Sequence, residues 1–436
     1  MNIAILGYGS QGVSAYKYWN KPKNKITICD SREKIELPKD TVHKLGSNYL
    51  SDLKDYDLII RAAPIIHPKE IVDANNPEIL DKVTSNTNEF FRVCPTKNII
   101  GVTGTKGKGT TSTLIARILE ASGKRVHLGG NIGIPPLELL NDGIQPEDWV
   151  VLELANFQLI DLKYSPPFAV CLMVVPEHLD WHEDIEEYIA AKQQLFINQS
   201  TNDYAIFYAD NEISEDVAEA SEGKLIPYFK SPGAFIKDDK IFIGSQEICD
   251  VNEIALLGKH NWQNVCAAIT TTWQIIQDID AVRSVVTNFS GLPFRIEFRR
   301  QVNGINYYND SFASAGGATL AALNAIIEPK IMIVGGYERG LDLSELAKGI
   351  RSKSNDIRKV ILIGETAKRT AMELKKVGFD NFVITDLKSM LDIVKLSNSY
   401  AQTGDAVVLS PGFASFDMFM NFEDRGNKFN EAVEAL

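Results

Sequence analysis

The run GVTGTKGKGTT at residues 101–111 constrains this chain more than any other stretch. A short apolar run, 98–102, enters a loop with Gly104, Gly107 and Gly109, and the loop empties into a helical pattern over 112–122. A strand, a glycine-rich loop and a helix N-terminus in that order let backbone N–H groups and the positive end of a helix dipole converge on one anion. Lys108 adds a cation able to reach the outer charges of a polyphosphate. The spacing departs from G-x-x-x-x-G-K-[ST]: Val102 stands where the first glycine belongs, and Gly109 follows the lysine. The loop reads as an ATP site contacted by Gly104, Thr105, Lys106, Gly107, Lys108, Gly109, Thr110 and Thr111. The competing reading is a glycine-rich βα turn without a ligand.

Such a loop needs a sheet and covering helices, and 436 residues allow two to four domains. With 44% hydrophobic and 23% charged residues the chain is globular in composition, and no apolar run reaches membrane-spanning length. It opens directly on a strand pattern, without the layout of a signal peptide. Five cysteines, scattered and without C-x-x-C spacing, argue against a disulfide frame and a zinc site. A net charge of −12 gives a nucleic-acid polymer no general attraction, so anionic ligands must be held by local loops. These features predict a cytoplasmic protein, acting as a monomer on small molecules, with no membrane insertion.

Strand and helix patterns alternate in three segments, 1–93, 94–292 and 293–436, which predicts an α/β fold. The first opens MNIAILGYGSQG, a strand turning into a helix at Gly7, Gly9 and Gly12, and a second strand ends at Asp30, Ser31 and Arg32. G-x-G-x-x-G with a later acid suits a dinucleotide, yet alone it licenses only a phosphate at a βα turn. The second segment adds strands at 150–154 and 170–175, a helix near 186–197, short β-strands within 231–254 and a helix over 261–276. The third has strands at 331–334, 359–363 and 406–409 with helices between, a doubly wound pattern.

Several side chains mark chemistry. Glu153 ends the apolar strand VVLEL beside the phosphate loop, where a nucleotide's Mg²⁺ is usually held. His178, in VVPEHLDWH, reads equally as a second metal position and as a structural histidine. Lys192 shares a helix face with Tyr188 at i, i+4 spacing, and local composition makes it a solvated surface lysine. Asn261 and Asn264, at the start of a helix, suit adenine or a backbone contact alike. Asp310 ends a strand where it could bind a ribose hydroxyl. Arg295, in PFRIEFRR, could stabilise the charge of a transferring phosphate, although most such arginines are surface residues.

Taken in order, these motifs resemble the Mur ligase superfamily, and its D-glutamate-adding branch most. The resemblance covers nearly the whole chain through TGTKGKGTT, GGNIG, LELANFQL, HLDWH, YIAAK, GKHNWQN, FRIE, NDSFAS, GGYERG and SPGFASFDMFMNFEDRG. It implies three domains: an N-terminal Rossmann-like domain for a UDP-sugar, a central P-loop ATPase-like domain with a mainly parallel sheet, and a C-terminal Rossmann-like, doubly wound domain. The implied reaction is phosphorylation of the carboxylate of UDP-N-acetylmuramoyl-L-alanine by ATP, then attack of glutamate's amine on the acyl phosphate, in peptidoglycan precursor synthesis. Lys108 and Thr110 match phosphate and Mg²⁺ contacts, and Glu153 and His178 match metal ligands. Lys192 matches a lysine carbamylated in this family, which would hold a second Mg²⁺. Asn261 and Asn264 match adenine-side contacts, Arg295 and Asp310 nucleotide contacts, and Asn131 a sugar-nucleotide contact. Ser10, Gln11, Asp30, Ser31 and Arg32 sit where uridine would lie.

The chain departs from the family pattern where the amino acid would bind. Phe312 replaces the lysine of N-D-S-K-A-T-N, Ser314 its threonine and Ala315 its asparagine, and Arg339 replaces a second lysine. Ser415, Phe416 and Phe422 complete the implied amino-acid pocket. Exchanging a lysine for a bidentate arginine alters the pocket's charge and shape, so L-glutamate or another amino acid stays open beside D-glutamate. RAAPIIHP at 61–68 departs from the family's S-P-G-I. Three other readings remain: a folylpolyglutamate-synthase-like ligase, suggested by Gly109, a nicotinamide-dependent oxidoreductase, suggested by Gly7, Gly9 and Gly12, and a non-catalytic nucleotide-binding relative, suggested by Phe312.

Overall fold

The computed structural model describes residues 1–436 except 40, 63–65 and 132. The described chain divides into two compact units, Met1–Glu253 with Trp262–Thr287, and Ile254–Asn261 with Asn288–Leu436. No described helix is long and apolar enough to cross a membrane, and all five cysteines are buried and unpaired.

The described residues of the first unit form three sheets. One joins β1 (Asn2–Leu6), β2 (Lys25–Asp30), β3 (Val42–Leu45), β4 (Leu58–Arg61) and β5 (Val83–Ser85) in the order β3-β2-β1-β4-β5, all parallel. Its winding reverses between β1 and β4, and such a reversal leaves a crevice beyond the carboxyl ends of the strands. The helix Ser10–Trp19 follows β1 there.

The next sheet joins β6 (Ile99–Thr103), β7 (Val126–Gly130), β8 (Trp149–Glu153), β9 (Phe168–Cys171), β10 (Tyr204–Tyr208) and β11 (Lys224–Tyr228) in the order β11-β10-β9-β6-β8-β7, again all parallel. β6 and β8 are buried along their whole length, as strands covered on both faces must be. The third sheet is a small antiparallel one, β12 (Ala234–Lys237), β13 (Lys240–Ile243) and β14 (Gln246–Asp250).

The second unit is built on β15 (Glu297–Val302), β16 (Ile305–Asn309), β17 (Lys330–Gly335), β18 (Ile357–Ile363), β19 (Phe382–Ile384) and β20 (Ala406–Leu409). Their order is β15-β16-β20-β17-β18-β19, parallel apart from the β15–β16 hairpin. Successive side chains of a strand point to opposite faces, and both faces here are apolar. Met332 and Val334 pack with Val360, Leu362 and Val408 under the helices Gly316–Ala325, Ser344–Ser352 and Ala367–Lys376. Ile331 and Ile333 pack with Ile361, Val407 and Leu409 under the helices Met390–Tyr400 and Phe422–Glu434. The expected α/β class with mainly parallel sheets is the one observed.

Of the boundaries that differ from expectation, two flank the phosphate loop. The helix after the phosphate loop starts at Lys108 and not at residue 112, because Gly107 takes φ +88° and starts the helix directly from the loop. β9 ends at Cys171 and not at 175, because the chain beyond it turns to run along the loop. Thr105 N–H donates to the Met173 carbonyl at 2.9 Å and Val175 N–H to Thr105 Oγ1 at 3.0 Å.

Ile333 is fully buried in the middle of β17. Ile333→Ala is expected to destabilise the protein by ~2–5 kcal/mol in urea unfolding. A loss below about 0.5 kcal/mol would mean the two-faced packing of β17 is misplaced.

Candidate active site

The loop after β6 is shaped by close approach. Gly104 has φ +133°, and a Cβ there would lie 2.7 Å from Leu172 Cβ, while a Cβ on Gly107 would lie 2.1 Å from Asn264 Oδ1. Only glycine fits both places. Thr105 between them is held from three sides. Its hydroxyl donates to the Val175 carbonyl at 3.0 Å, and it accepts from Val175 N–H and from the buried Tyr188 hydroxyl, the latter at 2.9 Å. Lys108 Nζ donates to the Gly104 and Thr105 carbonyls, each at 3.1 Å, so the ammonium curls over the loop. Lys106 pairs with Glu177. Gly109 and Thr110 lie in the first turn of the helix, where amides lack intrahelical acceptors, and Thr111 N–H donates to the Gly107 carbonyl at 2.9 Å. Asn264 Oδ1 accepts from Thr111 Oγ1 at 3.4 Å. Among the described residues, Thr103 Oγ1, buried at the end of β6, has no hydrogen-bond partner, and neither does Ser112 Oγ. The cradle is therefore polar, glycine-lined and cationic, which fits a polyphosphate.

Candidate metal ligands gather at the same strand ends. Glu153 closes β8 opposite Val102 of β6, is 4% exposed, and its carbonyl accepts from Asn131 N–H at 2.8 Å. Thr110 is buried in the first helical turn. His178 takes φ +60° on an exposed loop and packs edge-on to Phe157 with ring centroids 4.9 Å apart. Burial lowers its pKa; the charges of Lys108 and Lys106 lower it further, against the raising effect of Glu177 and Asp180.

Lys192 corrects the local reading. It is 0% exposed, not a solvated surface residue. The helix Ile185–Gln193 turns its Tyr188–Lys192 face inward, so Lys192 Nζ lies 4.3 Å from the Tyr188 ring centre and donates to the Gly104 carbonyl at 3.3 Å. Burial pushes its pKa down to about 7, and the nearby Lys108 charge adds to the shift. Amphipathic spacing identified the face but could not tell which way it points.

A second cluster was not legible in the sequence. His67, His182 and Glu187 bring potential ligand atoms within 4.8 Å of one another. Their hydrogen bonds argue against a metal. Lys69 N–H donates to His67 Nδ1 at 3.1 Å, so the proton sits on Nε2, which donates to Glu187 Oε2 at 3.1 Å. His182 Nδ1 and Glu183 N–H lie 3.0 Å from the same oxygen, and Asn156 Nδ2 lies 2.6 Å from His182 Nε2. Burial raises the Glu187 carboxyl pKa, but these hydrogen bonds outweigh it and hold the group below its ordinary value. The cluster clasps the loop after β4 to the loop after β9. Nearby, the fully buried Arg61 donates to Asp161 Oδ1 at 2.6 Å and Oδ2 at 2.8 Å, and to the Phe157 and Ile66 carbonyls. In RAAPIIHP, residues 63–65 lie outside the described residues, as does 132 in GGNIG.

The residues expected around uridine surround the carboxyl ends of β1 and β2. Ser10 and Gln11 open the helix Ser10–Trp19, and Asn86 Nδ2 donates to Gln11 Oε1 at 3.0 Å. Asp30 is buried, and the Arg32 guanidinium that grips it holds its pKa down at about 2. Arg32 Nε reaches Oδ1 and Nη2 reaches Oδ2, both at 2.8 Å, and Tyr8 N–H donates to Oδ2. Ser31 between them is exposed. Both oxygens of this carboxylate are thus already engaged.

In the second unit, loops after β16, β17 and β20 carry the rest. Asp310 is buried; its Oδ2 accepts from Ser410 Oγ at 2.6 Å and its Oδ1 from Ile296 N–H at 3.1 Å. Burial raises its pKa to about 7. Arg339 Nη2 donates to the Ser314 carbonyl at 2.7 Å. Ser415 is buried, whereas Phe416 is exposed and edge-on to Tyr337. Phe422 meets Phe312 edge to face at 5.0 Å, and Arg295 Cζ lies 3.8 Å from the centre of the Phe312 ring. Asn261 Nδ2 donates to the Leu257 carbonyl at 2.7 Å. Sequence reasoning missed the fully engaged Arg425, whose guanidinium donates to Ser311 Oγ and to the carbonyls of Ser311, Phe413 and Ala414.

Comparison with known proteins bears on this arrangement. Residues 102–272 match the Mur ligase middle domain. A UDP-N-acetylmuramoylalanine–D-glutamate ligase of Clostridium botulinum (strain 657 / Type Ba4) is 36% identical, over 100% of this chain and 96% of its own length. Among solved structures, the UDP-N-acetylmuramate–alanine ligase MurC of Thermotoga maritima has a TM-score of 0.61 at 17% identity, covering 100% of this chain and 99% of its own. The MurF ligase of the same organism, in complex with ADP, has a TM-score of 0.58 at 15% identity, covering 99% and 95%.

Gly104→Ala places a methyl group against Leu172 in a left-handed conformation, at a cost of ~1–3 kcal/mol. Nucleotide binding by titration calorimetry is expected to fall at least tenfold while far-UV circular dichroism stays unchanged. Unaltered binding would mean that this backbone does not line the phosphate site.

Proposed function

The chain belongs to the Mur ligase family and, within it, to the UDP-N-acetylmuramoylalanine–D-glutamate ligases, and from that premise we propose that it couples ATP cleavage to amide-bond formation between UDP-N-acetylmuramoyl-L-alanine and D-glutamate. The observation that carries the reading is the gathering of Lys108, Glu153, His178 and a buried Lys192 around the loop after β6. The likeness spans the whole chain, residues 1–93 included, which leaves little room for a folylpolyglutamate-synthase-like or nicotinamide-dependent enzyme.

In this reading the loop amides of 104–111 and Lys108 hold the outer phosphates. An oxygen of the acyl substrate's carboxylate forms a bond to the γ-phosphorus as the bond to ADP breaks. The glutamate amine then attacks the acyl carbon, loses a proton and displaces inorganic phosphate. Catalysis of phosphoryl transfer is mostly positioning and charge neutralisation, and the fixed cations suit that task. Glu153, His178 and Thr110 offer oxygen and nitrogen donors fitting Mg²⁺, which when bound neutralises charge on the transferring group. Lys192, with its pKa near 7, holds a large neutral fraction. As a neutral amine it can add carbon dioxide, forming an N–C bond and releasing a proton, to become a carbamate with two oxygens for a second Mg²⁺.

Asn264 and Asn261 are assigned to the adenine side and Arg295 and Asp310 to the nucleotide. Ser10, Gln11, Asp30, Ser31, Arg32 and Asn131 are assigned to the UDP-sugar, and Ser314, Arg339, Ser415, Phe416 and Phe422 to glutamate. The division at 93/94 and 292/293 follows from these roles.

Phosphate release with UDP-N-acetylmuramoyl-L-alanine against a panel of D- and L-amino acids tests the assignment. D-glutamate is expected to give the highest kcat/KM, and release with an L-amino acid alone would overturn it. Lys192→Ala is expected to abolish turnover, with partial recovery on adding acetate or propionate and none with bicarbonate. Full activity in that variant would refute the carbamate.

A further inference from the structure

Phe312 stands where the family pattern has a lysine, and nothing in the function proposed above uses it. Its ring underlies a cation all the same: Arg295 Cζ lies 3.8 Å from the ring centre. A guanidinium laid flat on an aromatic face keeps its N–H donors in one plane, directed outward past the ring edge, and guanidinium–ring stacking adds attraction when partly desolvated. Both residues are half-buried.

The backbone around Arg295 is forced into that pose. Phe294 and Ile296, its two neighbours, have φ of +63° and +48°. A β-branched residue in the left-handed region is a true outlier, and such strain persists only where the surroundings over-determine it. Here they do. Phe294 N–H donates to Glu297 Oε2 at 2.9 Å, Ile296 N–H to Asp310 Oδ1 at 3.1 Å, and Phe312 N–H to the Phe294 carbonyl at 3.0 Å. Phe294 lies on Gly426, where a Cβ would come within 2.3 Å of its ring. Phe422 is edge-on to Phe294 and to Phe312, at 6.3 and 5.0 Å. Three phenylalanines and a buried carboxylate thus fix one arginine.

We propose that Phe312 is a positioning residue that holds the Arg295 guanidinium flat so that its in-plane N–H donors meet an oxyanion of a substrate, either a phosphate of the nucleotide or a carboxylate of the amino acid. The proposal rests on the ligase reading. A planar, fixed donor set selects for two-oxygen groups more sharply than a flexible ammonium does.

A double-mutant cycle tests it. Phe312→Ala is expected to lower kcat/KM roughly 2- to 30-fold, Phe312→Trp to stay within about twofold of the parent, and Arg295→Ala/Phe312→Ala to be no worse than Arg295→Ala alone. A rise in KM for ATP identifies the phosphate as partner, and a rise for D-glutamate the carboxylate. The thermal midpoint of each variant separates these effects from unfolding. An active Phe312→Ala enzyme with unchanged constants, or two effects that multiply independently, overturns the proposal. If the parent enzyme releases no phosphate with these substrates, the ligase reading fails instead. The cycle is then read in urea unfolding and in titration with Mg-ADP and with D-glutamate, where a coupling of zero also overturns the stacking.

Discussion

The backbone of residues 103–107 keeps its shape because neighbouring elements hold it from outside. Leu172 presses against Gly104 and Asn264 against Gly107, while Thr105 is tied to the chain after β9 and to Tyr188. A loop wrapped around an anion cannot satisfy its own polar groups, so its conformation has to come from its surroundings. Every other feature of the site refers back to this frame. The Lys108 and Lys192 side chains share the Gly104 carbonyl, and Glu153 is placed by the pairing of β8 with the strand that feeds the loop.

Two lysines donating to one carbonyl is an unfavourable pairing unless one of them is neutral. Burial of Lys192 resolves it, since desolvation penalises the charged form and moves the pKa toward 7. The electrostatic cost of packing a second cation beside Lys108 is thereby turned into a chemical property, a nucleophilic amine at neutral pH. Asp310 shows the same physics with the opposite charge: burial outweighs its hydrogen bonds and the pull of the Arg295 and Arg425 charges, and raises its carboxyl pKa to about 7.

Much of this was legible beforehand, for local reasons. A glycine-rich loop between a strand and a helix, a carboxylate at a strand end and runs of alternating strands and helices are short-range patterns, and 101–111, Glu153 and the parallel sheets were found where they were expected. What escaped notice depends on distance in the chain. Arg61 and Asp161 are 100 residues apart, and His67 and Glu187 are 120 apart, so no window of sequence contains either pair. The inward turn of Lys192 was invisible locally for a similar reason, because the side of a helix that faces the core is set by what packs on it. Resemblance supplied that residue; periodicity did not.

The Glu187 clasp and the Arg61–Asp161 pair both link the β1–β5 sheet to the β6–β11 sheet inside the first unit. Parting those sheets would strip several donors from two carboxylates at once and leave a buried guanidinium without counter-charge, a far larger penalty than sliding apolar surfaces. A shift of the β1–β5 sheet against the sheet that carries the nucleotide loop would therefore have to break both contacts at once.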